Sequence, residues 1–453
     1  MTHIYPHIIV AKFGGTSVAN FDAMSRSATL VLANKNVRLV VLSASAGVTN
    51  LLVELASGLE SRMRLDKIDT LRALQHNIIS RLKQPEGVSQ AIEHLLNNIS
   101  RLAEKAVDSR SDALCDELVS HGELMSSLLF VEVLREQGME TQWFDARTVI
   151  RTDDAFGCAV PAIGVIAELS EKHLRPQIEQ SLVVTQGFIG SDAAERTTTL
   201  GRGGSDYTAS LLAEALKAAR VDIWTDVAGI YTTDPRIVAE AKRIDTLSFS
   251  EASEMATFGA KVLHPATLLP AMRKNIPVFV GASSNPSAGG TLVCCDVPEP
   301  SRYRALAVRR QQTLLKLSSI HAQPGPRFLA EIFGLLSRHE IATDLITISE
   351  TSIALILNAP NSTSGEADML NSALLSDLSS HCRVETETGL ALVSLIGNAL
   401  PHSPAVCKEV FSELEPYPVR MICHGASSHN LCFLLPEEFA ERAVKALHRR
   451  LLE

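Results

Sequence analysis

The sequence holds no block of lysine or arginine. Its 453 residues carry 42 basic and 51 acidic side chains, a formal charge of −9, so no cationic stripe is on offer to a nucleic-acid backbone or an anionic membrane surface. Long apolar runs are missing too, since no stretch approaches the roughly 18 uninterrupted residues of a membrane-spanning helix. Residues 1–6 show neither the basic start nor the apolar core of a secretory signal. The eight cysteines (Cys115, Cys158, Cys294, Cys295, Cys382, Cys407, Cys423 and Cys432) never fall in a C-x-x-C spacing. They read as reduced thiols and not as a disulfide frame or a zinc site. The expectation is a cytoplasmic protein with no protein-held metal and with neither nucleic acid nor membrane as partner.

What is present is concentrated at residues 197–209. There Arg202 and Asp206 stand among Gly201, Gly203, Gly204, Ser205 and a run of threonines. Glycines let the backbone approach a ligand and aim N–H groups at an anion, and a guanidinium can grip a carboxylate or phosphate through two parallel bonds. A plain flexible turn would have no use for Arg202 and Asp206. Residues 208–219 continue at helical spacing, so the glycines open a helix whose N-terminal dipole also favours negative charge.

Length allows two or three domains. Residues 7–13 form an apolar run ending in Lys12 and Phe13, broken by Gly14 and Gly15 before a helical pattern over 21–32. This is strand, glycine turn, helix. It is not a P-loop, because the lysine precedes the glycines, and a tight turn with a solvated lysine would fit the same residues. A second strand, 39–42, runs into small hydroxyl residues including Thr49, and 66–137 is almost wholly helical. Within it Gly122 and Glu123 adjoin an apolar run; such a glutamate is usually a solvated face residue, but here Gly122 and Ser126-Ser127 suggest close approach of something small. Further strands are expected at 142–144, 182–185, 221–227, 230–235 and 277–280. Their alternation with helices argues for a mainly parallel sheet covered by helices. Thr225 and Asp226 end one of them. Lys261 adds a cation, and His264 before Pro265 reads as a capping or core residue.

Residues 298–301 mark a boundary. Beyond it Phe333 and Phe411 stand 78 positions apart, as do Glu331 and Glu409, Leu336 and Leu414, and Ser349 and Ser427. Each copy reads strand, helix, strand, strand. Such paired modules pack on each other or on a second subunit and serve as sensing units.

Together, Lys12-Phe13-Gly14-Gly15-Thr16-Ser17, Gly201-Arg202-Gly203-Gly204-Ser205-Asp206 and the terminal repeat resemble the aspartate kinases, in particular their monofunctional, lysine-regulated class. The resemblance implies an amino-acid-kinase fold over 1–297 and a regulatory region, 298–453, of two ferredoxin-like βαββ (ACT) modules. The first would span about 311–385, and the second about 386–453 with a strand from about 303–310. It further implies ATP-dependent phosphorylation of L-aspartate to 4-phospho-L-aspartate, the first step toward lysine, threonine and methionine, with ATP and Mg²⁺. Lys12 would neutralise charge on the transferring phosphoryl group and Asp206 would orient Lys12 and the metal-bound phosphates. Arg202 would clamp the α-carboxylate of aspartate and Glu123 its ammonium, with Thr49, Gly203, Gly204 and Ser205 completing the pocket. Lys12, Phe13, Gly14, Gly15, Thr225, Asp226, Tyr231, Arg236, Lys261 and Val262 fall where the family holds the nucleotide. Gly325, Phe328, Leu329, Ala342, Thr343, Asp344, Ser349 and Glu350 fall where it holds an effector. Ala322, Gly325 and Ile348 depart from the lysine-sensitive pattern, so lysine inhibition should be weak or lost. A homodimer or dimer of dimers is implied. A silent amino-acid sensor and a kinase for another small acid are the alternatives.

Overall fold

The computed structural model describes residues 7–259, 262–297, 301–319, 326–339, 341–349, 351–358 and 372–453. The chain divides into two compact units. The first is Met1–Ile230, Arg243–Phe249 and Val262–Val297; the second is Tyr231–Lys242, Ser250–Lys261 and Pro298–Glu453.

The run Ile9–Phe13 forms β1, every residue of it buried, and the glycine turn leads into α1 (Phe21–Ala33). Asn20 sets the start of that helix, its Oδ1 accepting the Ala23 N–H at 2.9 Å. β2 (Val37–Leu42) runs into α2 (Val48–Ala56). The expected helical stretch resolves into α3 (Ser61–Ile79), α4 (Glu86–Asp108) and α5 (Asp112–Glu136). In α4, Val88, Ile92, Leu96, Ile99, Ala103 and Ala106 supply one buried stripe, whereas α5 is buried over most of its circumference. There follow β3 (Thr141–Phe144), α6 (Ile163–Leu169), α7 (Arg175–Gln180), β4 (Leu182–Gln186), the antiparallel pair β5 (Ile189–Ser191) and β6 (Thr197–Thr199), α8 (Gly204–Leu216) and β7 (Arg220–Thr225). β8 (Thr246–Ser248), α9 (Phe249–Phe258), α10 (Pro265–Arg273), β9 (Val278–Ala282) and β10 (Gly290–Cys294) come next in the chain.

Eight strands make one sheet in the order β3-β4-β2-β1-β7-β9-β10-β8, parallel except where β10 runs against β9. Central strands are buried on both faces, which is why they read as near-continuous apolar runs. β1 has β2 on one side and β7 on the other, with Phe13 level with Leu42 and Trp224. The strand order reverses here, and in open sheets of this kind ligands bind in the crevice beyond the carboxyl ends at such a point.

Residues 230–235 are not the strand expected of them. Their β-branched residues lie in a loop: the Thr232 N–H bonds Lys242 O at 2.9 Å, and the Asp234 carboxylate is taken up by Arg236. Backbone partners found far along the chain override local strand preference.

In the second unit β11 (Tyr303–Ser319), α11 (Pro326–Arg338), β12 (Ala342–Ile348), β13 (Ser352–Asn358), α12 (Ser372–Ser379), β14 (Cys382–Gly397), α13 (Pro404–Leu414), β15 (Met421–His424), β16 (Asn430–Pro436) and α14 (Glu437–Leu451) follow in order. Their single antiparallel sheet runs β12-β13-β11-β14-β16-β15. The 78-residue repeat is visible in it, since β16 begins and ends 78 positions after β13. Each copy has its own apolar cluster, around Leu355 and Ile332 in one and Phe433 and Val444 in the other. The long strands β11 and β14 join them: residues 305–309 pair with 392–396, and 314–318 pair with β13. Two earlier segments belong to this unit. Thr232 O accepts the Leu306 N–H at 2.7 Å, and on α9 the buried Glu251 pairs with Arg304 at 2.8 Å. All eight cysteines are free thiols. Among the described residues no helix is long and apolar enough to cross a membrane.

Gly122 lies mid-helix because α5 presses on the turn after β2: a Cβ there would stand 2.7 Å from the Ala44 Cβ and 3.3 Å from both Leu52 and Val48. Gly122→Ala gains roughly 0.5–1 kcal/mol of helix preference but overpacks the contact at a cost of about 1–3 kcal/mol. The variant should therefore be less stable in denaturant unfolding. A more stable variant would show that residues 44–52 move aside freely.

Candidate active site

At the carboxyl end of β1, Lys12 Nζ stands 2.6 Å from Asp206 Oδ1, with the two side chains only 9% and 14% exposed. Asp206 lies in the first turn of α8, so the ion pair ties the central strand to a helix N-terminus. Gly14 donates its N–H to Trp224 O at 2.9 Å. Gly15 is laid against the turn after β2, where a Cβ would come within 2.8 Å of Ala44 O. Hydroxyl bonds hold these turns together: Ser17 Oγ to Ser283 Oγ at 2.7 Å, and Ser45 Oγ donating to Val18 O at 2.8 Å. Thr49 is half-buried in the first turn of α2.

Glu123 is buried, not solvated. Its Oε1 accepts the Ala44 N–H at 3.0 Å, and its Oε2 is shut away from water with no hydrogen-bond partner among the described residues. Burial pushes the carboxyl up to about 8; the Ala44 N–H and the Lys12 ammonium offset only part of that. A buried acceptor without a donor is costly, and such an oxygen suits an incoming cation.

Arg202 sits between two glycines in the left-handed region, Gly201 at φ 72° and Gly203 at φ 74°. Gly203 admits no side chain, because its Cβ would meet the His264 Cβ at 2.5 Å. The Arg202 side chain is exposed and bonded to no described residue, while Gly204, Ser205 and Asp206 open α8. His264 caps α10, its Nδ1 accepting the Ala266 N–H at 3.3 Å. Burial and then the Arg202 cation hold its imidazole below the usual range. The capping reading of the sequence matches this geometry.

The remaining expected positions are more dispersed. Thr225 and Asp226 stand at the end of β7, bonded to each other at 3.0 Å. Tyr231 and Arg236 fall in the second unit, with Arg236 paired to Asp234; Val262 is half-buried in the first, and Lys261 lies outside the described residues. Of the effector positions, Phe328 is buried in the first module's apolar cluster with Leu329 packed against it. Thr343 Oγ1 donates to Ile356 O at 2.8 Å, and Ser349 Oγ bonds Ser352 Oγ at 2.7 Å. Gly325, Glu350 and Ala322 lie outside the described residues, as do the side chains of Ala342 and Asp344.

Two residues of this region escaped the sequence reading. Phe188 takes φ 70°, its N–H held by Thr208 Oγ1 at 3.0 Å. Asp116 is buried on α5, seven positions before Glu123. That spacing places both on one helix face and was the available signal.

The amino acid kinase family is matched over residues 7–282 and an ACT domain over residues 393–451. The chain is 62% identical over 446 residues to lysine-sensitive aspartokinase 3 of Escherichia coli (strain K12), covering 98% of this chain and 99% of that one. It is 34% identical over 444 residues to the aspartokinase of Chlamydia pneumoniae, 97% of each chain being covered. Among solved structures it resembles E. coli aspartokinase III in complex with aspartate and ADP (R-state), with a TM-score of 0.93 over 99% of this chain and 100% of that one. The same enzyme in complex with lysine and aspartate (T-state) gives 0.83 over 98% and 100%. Both are 62% identical to this chain.

Glu123 sets a pH dependence of stability. Its carboxyl is raised from 4.5 to about 8, so relative to the unfolded chain it contributes stability that is complete below the unfolded value and is lost as pH rises through the folded one. Glu123→Gln cannot ionise. Thermal unfolding without ligands should show the variant gaining on the parent between about pH 5 and pH 9, by on the order of a few kcal/mol. A constant difference across that range would mean an ordinary carboxyl.

Proposed function

The chain belongs to the amino acid kinase family and, within it, to the aspartokinases, and we propose that the Lys12–Asp206 crevice is where it transfers the γ-phosphoryl group of ATP to the side-chain carboxylate of L-aspartate. The product is 4-phospho-L-aspartate. The observation that carries this assignment of residues is the unpartnered, buried Oε2 of Glu123. A zwitterion bearing a second carboxylate needs an anion for its ammonium and a cation for its α-carboxylate, and Glu123, giving up its proton as the ammonium enters, and the guanidinium of Arg202 offer that pair. Thr49 and Ser205 supply hydroxyls, and Gly203 and Gly204 let the substrate approach the backbone.

The attacking carboxylate is already ionised, so no general base is required. What the transition state needs is charge stabilisation at the transferring group. Lys12 provides it, held in place by Asp206, with the N-terminus of α8 adding its dipole. Thr225, Asp226 and Val262 are the first unit's nucleotide positions. Mg²⁺ fits as an ion carried largely by the phosphates: among the described residues no three His, Cys, Asp or Glu side chains form a metal site, and this ion is commonly held by one or two carboxylates and substrate oxygens. Asp206 would hold it beside Lys12, and the positive charge of the ion would offset that of the phosphate oxygens.

The first βαββ module takes L-lysine as effector, with Thr343 and Ser349 beside it. Ile348 supports a weakened response, being an apolar side chain 58% exposed at the end of β12 where the lysine-sensitive pattern has a hydroxyl. Exposed Ile348 and Ile422 on the edge strands β12 and β15 support a homodimer or a dimer of dimers. Free thiols throughout support a reducing, cytoplasmic setting.

Hydroxylamine trapping of the acyl phosphate formed from aspartate, ATP and Mg²⁺ tests the reaction; a signal with glutamate and none with aspartate would reassign the substrate. Arg202→Ala should raise the KM for aspartate far more than that for ATP, a loss on the order of 2–5 kcal/mol, and Arg202→Lys should not rescue it because a point charge lacks the fork. Equal damage to both KM values would place the guanidinium on the phosphates. In a lysine titration, Ile348→Thr should inhibit at lower lysine than the parent, by about 1 kcal/mol per restored contact. Tight, cooperative inhibition of the parent would show Ile348 to be neutral.

A further inference from the structure

Asp116 is only 2% exposed and stands on α5 with no cation among the described residues bonded to it. Its Oδ2 accepts the backbone N–H of Gly157 at 2.9 Å and that of Thr199 at 2.8 Å, and its Oδ1 accepts the Thr199 hydroxyl at 2.8 Å. One carboxylate thus gathers two chain segments onto α5. A third bond joins the segments to each other, Ala159 N–H donating to Thr199 O at 2.8 Å.

Both segments flank Gly201. Thr199 precedes it by two residues, and on its other side a Cβ at Gly201 would lie 3.3 Å from Gly157 O and 3.4 Å from the Cys158 sulfur. Gly201 in turn accepts the Gly204 N–H at 3.0 Å, closing the turn that carries Arg202. The same helix holds Glu123 seven residues on, two turns further along the same face and about 10 Å along the axis.

We propose that Asp116 is a positioning residue for Arg202: it pins the β6 end and the 157 turn to α5, so that one rigid helix sets where the guanidinium stands relative to Glu123. The proposal rests on the assignment of Arg202 and Glu123 to the two ends of aspartate. The chemistry of the side chain supports it. A carboxylate is the side chain of this length that accepts from three donors while presenting none of its own; an amide would turn an NH₂ toward a backbone N–H. Burial raises the Asp116 carboxyl above its usual range, and the Gly157 and Thr199 donors offset part of that cost. A merely structural anchor would be met more cheaply by an apolar contact.

The test is a steady-state comparison of the full-length protein with Asp116→Asn, Arg202→Ala and the double variant. Asp116→Asn should raise the KM for aspartate about tenfold, less than the roughly hundredfold that a displacement of ~1 Å can cost, with the KM for ATP changed less than about twofold. In the Arg202→Ala background it should add less than about twofold, because the group it positions is gone. If Arg202→Ala leaves the KM for aspartate unchanged, the assignment of Arg202 fails. If Arg202→Ala raises it while Asp116→Asn lowers only kcat or the melting temperature, or if the two effects multiply in full, the positioning role is overturned. Should Asp116→Asn not fold, Thr199→Val removes one donor and keeps the two backbone bonds; a rise of about threefold in the same KM alone is expected, and none would count against the proposal.

Discussion

The first unit is built around an ion pair nearly shut off from water, Lys12 with Asp206 at 2.6 Å. Taking two charges out of water costs several kcal/mol each, repaid only if the geometry is good, and removing one partner strands the other at a cost of about 3–5 kcal/mol. The surrounding structure supplies that geometry. β1 occupies the middle of an eight-stranded sheet, hydrogen-bonded on both sides, so the lysine's backbone has no freedom. Asp206 is equally constrained, two residues into a helix whose start is crowded by His264 and Phe188. The pair is therefore a product of the whole fold and not of two neighbouring side chains.

Around it, the molecule accepts local disadvantages that a purely structural sheet would avoid. α5 is buried over most of its length, yet Asp116, Ser120, Glu123 and Ser127 lie along one face of it. Asp116 is fully satisfied by three donors, whereas Glu123 is left with one oxygen unbonded. The contrast is one of bonding: the first carboxylate is taken up by the protein's own donors, and the second keeps an oxygen with no hydrogen-bond partner among the described residues. Gly122, one position before Glu123, lets this helix come against Ala44. Departures from local preference gather where function resides.

The second unit follows a different logic. Two copies of one motif share a single sheet because β11 and β14 are long enough to serve both, each pairing along its length with strands of both copies. Each copy keeps its own apolar cluster. Val238 of the 231–242 segment belongs to one of those clusters, and α9 is bound to the unit through Glu251 with Arg304 and Glu254 with Ser427 and Asn430. A segment's place in the chain did not settle which core it joined.

Legible in the residues alone were the elements with strong periodicity or punctuation. The run at 7–13 read as a strand stopped by glycines, 66–137 carried almost wholly helical spacing, and the 78-residue repeat announced paired modules. Arg202 and Asp206 stood out because charged groups among glycines have little use in a plain turn, whereas Lys12 by itself fitted a solvated residue of a tight turn as well and drew its expected role from the family resemblance. Tertiary structure alone decided the rest. Residues 230–235 look like a strand, but their partners are Lys242 and Leu306, and hydrogen bonds to distant residues leave no mark on local composition. Glu123 was set apart from a solvated helix residue only by the small residues beside it; its raised carboxyl comes from burial under the turn after β2. Asp116 carried no signal beyond its seven-residue spacing from Glu123, since the Gly157 and Thr199 donors it accepts from lie 41 and 83 positions away. Periodicity records which face of an element is buried. It does not record what that face will meet.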